Sequence, residues 1–316
     1  MFSYIIRRLL IAIPVLLGVT VFNFIIINLA PGNPAEMLLN PNSSPAQIAL
    51  RKEQLGLNDP LWVQYFHWLN ELIHGNFGFS FNTFQPVSHM ISERVGPTFA
   101  LMGISLIVGV LFAIPLGVMT ATKQYSKLDY SLMGASFLGI SIPNFFLGLG
   151  LIYIFALQFK VLPTGGMMTL GGEGGFIDRA RHLILPVAVL SIYIAGRTIR
   201  YVRASMLEIL GSDYLRTARA KGLREFVVTN KHALKNALVP IITVIGLEVP
   251  FLLGGAVITE QIFQWPGMGQ LTIQSIMSRD YPTLMAINFI AAIMVLVSNL
   301  LTDILYSAAD PRIKYQ

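Results

Sequence analysis

Charged groups are scarce in this chain, and where they fall limits the chemistry open to it. Glu248 stands near the middle of the apolar run Leu238–Ile258, where an ionised acid costs about 2.5–3.5 kcal/mol to insert into a bilayer. An acid so placed faces a bundle interior or a water-filled path. It can line a route for a solute, pair with a neighbouring span, or be neutralised by burial. Asn144, Asn288, Asn299 and Asp303 raise the same question more weakly. Asn299 and Asp303, one helical turn apart, share a face and read as hydrogen-bonding glue between helices. The second concentration is basic. Between Arg197 and Pro240 lie Arg197, Arg200, Arg203, Arg216, Arg219, Lys221, Arg224, Lys231 and Lys235, against Glu208, Asp213 and Glu225.

The marks of catalysis are missing. The sequence contains no Gly-x-x-x-x-Gly-Lys-Ser/Thr phosphate loop, no His-Glu-x-x-His and no Gly-x-Ser-x-Gly, which removes the usual signs of nucleotide hydrolysis, zinc proteolysis and serine hydrolysis. His67, His74, His89, His182 and His232 do not have metal-ligand spacing, and cysteine is absent, so disulfides, thiol catalysis and cysteine metal sites fall away. No catalytic residue, no metal and no cofactor bound by the chain itself is expected.

The elements that must carry these groups are apolar. Of 316 residues 54% are hydrophobic and only 12% charged, about half the roughly 25% charged residues of a soluble domain. The deficit is gathered in long runs: Leu9–Ala30, Phe99–Thr122, Met133–Phe159, His182–Ile199, Leu238–Ile258 and Leu284–Tyr306. Each approaches the roughly 20 residues that a helix needs to cross hydrocarbon. This predicts an all-α membrane protein of six transmembrane helices with both termini in the cytoplasm. The net charge of +6 sits at the ends of these runs, where the positive-inside bias accounts for it without nucleic acid. Links 123–132 and 200–237 and the tail with Arg312 and Lys314 then face the cytoplasm. The spans are interrupted by Pro14, Pro115, Pro143, Pro186 and Pro250 and by several glycines, as in a packed bundle.

The expected order is an anchor helix over 1–30, an extracytoplasmic helical cap over 31–98, a membrane domain over 99–306 and a cytoplasmic tail over 307–316. The first run follows Arg7-Arg8 and continues into Pro31-Gly32-Asn33-Pro34; it is longer than the roughly 7–15 apolar residues of a signal peptide and reads as a retained anchor. In the cap, Ala46–Leu55 and Leu61–Gly75 read as short amphipathic helices, the second starting at Asp59-Pro60. Trp62, Tyr65, Phe66, Trp68 and Leu69 mark a face for the membrane interface or a neighbouring protein. Gly165–Gly175 reads as a flexible outer loop. In the basic link, Ser212 or Asp213 can N-cap the run Tyr214–Lys221, and Gly222 can end it in a left-handed cap.

That link carries a resemblance. Arg216-Thr217-Ala218-Arg219-Ala220-Lys221-Gly222, followed by His232-Ala233-Leu234-Lys235-Asn236-Ala237-Leu238, resembles the cytoplasmic loop of ATP-binding-cassette (ABC) importer permeases, most closely the oligopeptide/dipeptide branch. Arg216 stands where many permeases have an acid and Lys235 where they have proline, both usual in the peptide branch. Leu55-Gly56-Leu57, Gly75-Asn76-Phe77-Gly78, Trp265-Pro266-Gly267-Met268-Gly269, Arg279-Asp280-Tyr281-Pro282 and Asp310-Pro311-Arg312-Ile313 extend it over nearly the whole chain. The resemblance implies the B-type membrane subunit of a peptide importer in a bacterial inner membrane, with a type I importer bundle. It implies a homologous second permease, two cytoplasmic ATPase subunits that carry ATP and Mg, an extracytoplasmic substrate-binding protein, and contact with membrane lipid. Asp213, Tyr214, Arg216, Thr217, Ala218, Arg219, Ala220, Lys221 and Gly222 would form the ATPase-coupling loop, and Glu248 is the candidate for the translocation path. Relatives of this family that import nickel or other small solutes remain alternatives. So does an ion-coupled secondary transporter, with Glu248 as its ion site.

Overall fold

A computed structural model describes residues 2–29, 58–169, 171–172 and 174–309, with isolated positions between 46 and 56. The predicted helix over Ala46–Leu55, the Pro31–Pro34 segment and the tail from Asp310 lie outside the described residues for the most part. The described chain is helical: α1 (Phe2–Leu29), α2 (Leu61–Ile73), α3 (Val87–Thr122), α4 (Lys127–Ser141), α5 (Asn144–Leu151), α6 (Phe176–Leu210), α7 (Asp213–Ala220), α8 (Leu234–Ile262), α9 (Met268–Met277) and α10 (Tyr281–Ala309). Among the described residues the one β pairing is an isolated bridge between Phe79 and Pro86.

Among the described residues four stretches are long and apolar enough to cross a membrane as single helices: Ile5–Leu29, Val87–Thr122, Phe176–Leu210 and Tyr281–Ile304. Counting two bent pairs as one span each brings the number to the expected six. The first pair, α4 and α5, turns by 101° at its break. Ile142 there is extended, with φ −76° and ψ 121°, as the residue before Pro143 must be. After α5 the backbone relaxes into a π-helical stretch, Ile152–Gln158. The second pair bends by 52° before Pro240, where the ring removes an amide and crowds the preceding turn.

Two spans differ from their hydropathic limits. α3 starts at Val87 rather than Phe99, and α6 runs from Phe176 to Leu210 rather than from His182 to Ile199. In both, polar residues continue the helix, in α3 even through Gly96-Pro97, so polarity marks where the hydrocarbon ends and not where the helix does. Arg200 and Arg203, like Arg197, are therefore helical residues of a span and not part of the exposed loop.

The chain divides into two compact units: residues 1–96 with 271–296, and 97–270 with 297–316. In the first, α2 packs on α1 through Tyr65 and Trp68, whose rings lie 5.5 and 6.1 Å from that of Phe24. The Tyr65 hydroxyl lies 2.9 Å from that of Thr20, and Asn288 on α10 donates to Asn23 on α1. In the second unit Leu101, Leu190, Ile194, Leu252 and Trp265 form one core. Val118, Met206, Leu215, Val228 and Ile241 form another.

α3 and α6 cross closely because Gly117 offers no side chain. A Cβ there would lie 2.5 Å from Cβ of Val202 and 3.0 Å from the Ile199 carbonyl oxygen. Gly103, on the same helix, has nothing within 4 Å of that point. Gly117→Leu should therefore lower stability by about 1–3 kcal/mol through overpacking, whereas Gly103→Leu should stay within about 0.5 kcal/mol. Thermal unfolding of the purified protein in detergent measures both. Equal midpoints for the two variants would refute the close crossing.

Candidate functional site

The basic link folds as a short helix wedged against its neighbours. Ser212 occupies the N-cap position of α7, with φ −77° and ψ 146°. Its hydroxyl donates back to the Ile209 carbonyl, so the cap it could make from its side chain is not made. Asp213 in the first turn remains favourably placed toward the helix dipole. At the other end Gly222 takes φ +76°, a left-handed conformation that costs other residues about 1–2 kcal/mol. Its amide donates to Arg219, and that of Leu223 to Ala218. The expected glycine turn is present.

The eight residues of α7 divide cleanly by face. Leu215 and Ala218, one turn apart, are buried against Met206, Val228 and Ala233. Ala218 thus packs inside this chain and not on an outer surface, because only the face that includes Leu215 supplies α7 with an apolar footing. Tyr214, Arg216, Thr217, Arg219, Ala220 and Lys221 are exposed, as are Asp213 and Gly222. Asn236 on α8 donates to the Tyr214 hydroxyl (2.8 Å) and to the His232 carbonyl (2.9 Å). Arg219 Nε donates to Glu225 Oε1 at 2.7 Å across the glycine turn. Arg216 and Asp213 sit 3.7 Å apart on the surface, a pairing worth little in water. A π-helical stretch, Val228–Ala233, follows. Two apolar residues that the sequence reading did not single out, Leu223 and Phe226, are exposed beside the turn, Phe226 to 77%.

Glu248 lies elsewhere. Its side chain is fully buried, with Oε1 3.3 Å from Arg197 Nε and Oε2 accepting from Arg197 Nη1 at 3.5 Å. Oε1 accepts no hydrogen bond. Of the three readings open from sequence, pairing with another span is the one that has a partner in view. Two further arginines of α6 also turn inward. Arg200 lies 5.2 Å from the centre of the Phe137 ring. Arg203 grips Asp129 with two bonds of 2.9 and 2.8 Å, and Asp129 also accepts from the Tyr125 amide.

The tryptophan-glycine motif encloses another acid that sequence alone did not mark. Glu260 is fully buried. Its Oε1 accepts from the Thr98 hydroxyl at 2.7 Å, and Oε2 from the amides of Gly269 (2.7 Å) and Gln270 (3.1 Å). The Thr98 hydroxyl accepts in turn from the Met268 amide, and Trp265 Nε1 donates to the Pro97 carbonyl. A Cβ on Gly267 would overlap the Glu260 carboxylate, and one on Gly269 would overlap the Val257 backbone. The carboxylate thus caps the start of α9. In the first unit Asp280 is held in the same manner, accepting from the Ser80 and Thr283 hydroxyls and the Phe81 amide. A signal for both existed in the sequence: an acid beside Trp-Pro-Gly-Met-Gly, and one opening α10.

The start of the glycine-rich loop, residues 165–169, is tied to the first turns of α6. His182 Nδ1 lies 3.0 Å from the Gly165 carbonyl oxygen, Arg181 donates to Val161, and Thr169 donates twice to Asp178. Among the described residues no three histidine or acidic side chains gather as a metal ion would require.

Residues 113–315 match the family model for the binding-protein-dependent transport system inner membrane component, and residues 1–102 match the model for the N-terminal part of such a component. The oligopeptide transport system permease protein AppB of Bacillus subtilis is 46% identical over 316 residues, covering 100% of both chains. The dipeptide transport system permease protein DppB of Alkalihalophilus pseudofirmus is 41% identical, again over 100% of each. Among solved structures, a chain of the inward-facing MetNI methionine ABC transporter shares the fold. Its TM-score is 0.59 at 18% identity, over 70% of this chain and 96% of that one.

Glu260→Ala would leave two buried amides and a hydroxyl without their acceptor, at about 1–3 kcal/mol for each group left unpaired, and should be the costlier of two changes. Thr98→Val keeps the volume, removes one donor to Glu260 and the acceptor of the Met268 amide, and should cost about 1–3 kcal/mol. Chemical or thermal unfolding in detergent ranks the two. The carboxylate is not the organising group if Thr98→Val proves the more damaging.

Proposed function

The chain belongs to the family of binding-protein-dependent transport system inner membrane components, and from that premise we propose that residues 213–222 are its ATPase-coupling element. It is a multi-pass inner-membrane protein, the permease subunit of an ABC importer. In this reading it forms half of a translocation path for oligopeptides or dipeptides. The other half is a homologous second permease. Two cytoplasmic ATPase subunits carry ATP and Mg, and an extracytoplasmic binding protein delivers the peptide. Both termini, the basic link included, lie in the cytoplasm of a bacterial cell. The full-length similarity to AppB and DppB supports the choice of peptide.

The observation that carries the coupling assignment is the double character of α7. Its outer face offers Tyr214, Thr217 and Ala220 among basic side chains, a surface suited to an acidic, partly apolar groove. Its inner face is keyed by Leu215 and Ala218 into the ends of α6 and α8. When ATP draws the ATPase subunits together, α7 cannot slide independently. The push passes to the two spans, and the bundle rocks between inward- and outward-open states. Glu248 stays a candidate for the path, since exchange of Arg197 between this acid and other partners could accompany that motion. Secondary transport would need Glu248 as an ion site, and its carboxylate lies beside Arg197 already.

Gly222→Asp tests the coupling role. A Cβ at Gly222 meets nothing within 4 Å in this chain, and aspartate tolerates the left-handed conformation better than most residues. The variant should insert and accumulate normally while ATP-dependent uptake of labelled di- and tripeptides is lost, because the added carboxylate intrudes where a partner must seat. Normal uptake at normal abundance sinks the assignment.

A further inference from the structure

The helix after the first span has a face that nothing among the described residues covers. At about 100° per residue, the side chains of α2 from Trp68 through Leu72, Tyr65 and Trp62 to Phe66 fall on one continuous apolar arc. Gln64, His67, Asn70 and Glu71 take the opposite side. Half of the arc is spent on α1: Tyr65 and Trp68 meet Phe24, and Leu72 is buried. The other half is open. Trp62 is 66% exposed, Phe66 61% and Ile73 73%.

The two halves adjoin, so the open half looks toward the same side as α1. There α1 presents its own bare apolar surface, with Ile25 49% and Leu29 79% exposed. A span in hydrocarbon and an amphipathic helix beside its end share one surrounding medium on that side. Between them runs a groove of about 320 Å³, lined by Phe24, Ile25, Leu29, Leu61, Trp62 and Tyr65. Asn28, the polar residue at its edge, donates one amide hydrogen to the Phe24 carbonyl. The groove suits an acyl chain and offers water almost nothing to bind.

We propose that α2 is an interfacial helix, lying in the headgroup layer of the membrane surface at which α1 ends. Trp62, Phe66 and Ile73 reach into the hydrocarbon of the lipid beside α1, while His67, Asn70 and Glu71 face water. Aromatic rings at this depth and a wide apolar arc opposed to a polar one are what such a position requires. The helix then fixes the exit of the first span as a lipid-anchored splint, and its apolar arc is occupied by lipid rather than by a protein partner.

The natural sequence has no cysteine, so single nitroxide labels can be placed without background at Phe66→Cys, Ile73→Cys and, for reference, Glu71→Cys. The labelled chain is reconstituted with its co-purifying subunits in vesicles of phosphatidylethanolamine and phosphatidylglycerol. Collision rates with oxygen and with a water-soluble nickel chelate are then compared. Labels at 66 and 73 should meet oxygen several-fold more readily than the chelate, and the label at 71 should show the reverse. Chelate access at 66 and 73 equal to that at 71 overturns the proposal in favour of a water-facing helix. Loss of access to both reagents at 66 and 73 overturns it in favour of a protein-covered face.

Discussion

The seating of Leu215 and Ala218 governs what the rest of the second unit can do. Two small or medium apolar side chains, one turn apart, commit an otherwise polar helix to a single orientation. They do so against Met206 on α6 and Val228 and Ala233 on the approach to α8. Burial of side chains this size is worth about 1.5–3 kcal/mol for a leucine, modest in sum but directional in consequence. Once that face is seated, the basic residues have only the outward side to occupy. The Arg219–Glu225 bond and the Asn236–Tyr214–His232 contacts then close the glycine turn around the same wedge.

Carboxylates taken out of water explain much of the remaining rigidity. Glu260, Asp280 and Asp129 each receive donors at 3.2 Å or less: hydroxyls and amides for the first two, a guanidinium and an amide for the third. In surroundings of low dielectric such bonds are stronger than in water, and an unfilled acceptor is costly. Each site therefore holds its neighbours in one arrangement. Glu248 is the contrast. Its contacts with Arg197 are 3.3 and 3.5 Å, and one of its oxygens accepts no hydrogen bond. A buried pair of that geometry contributes little net stability.

The close passage of α3 over α6 at Gly117 and the strapping of residues 165–169 to the start of α6 complete a body in which α6 is the common member. Residues 165–169, α7 and the inner core all attach to that one span. A force applied at α7 thus enters the helix that the other parts share.

Much of this protein was legible in the order of its residues. Six apolar runs imply six crossings, Gly222 implies a left-handed turn, and the Arg216–Gly222 motif implies a permease loop; each is a local pattern, readable within about ten to twenty residues. The tertiary structure alone decided the partners. Glu248 meets Arg197 at a separation of 51 positions, Asp129 meets Arg203 at 74, Glu260 meets Thr98 at 162, and Asp280 meets Ser80 at 200. It also turned Ala218 inward, bent the third span by 101° and drew Arg200 and Arg203 of the basic stretch into α6. Hydropathy and propensity weigh each residue with its near neighbours, whereas the cost of burying a charge is settled by whichever donor the fold brings within about 3 Å.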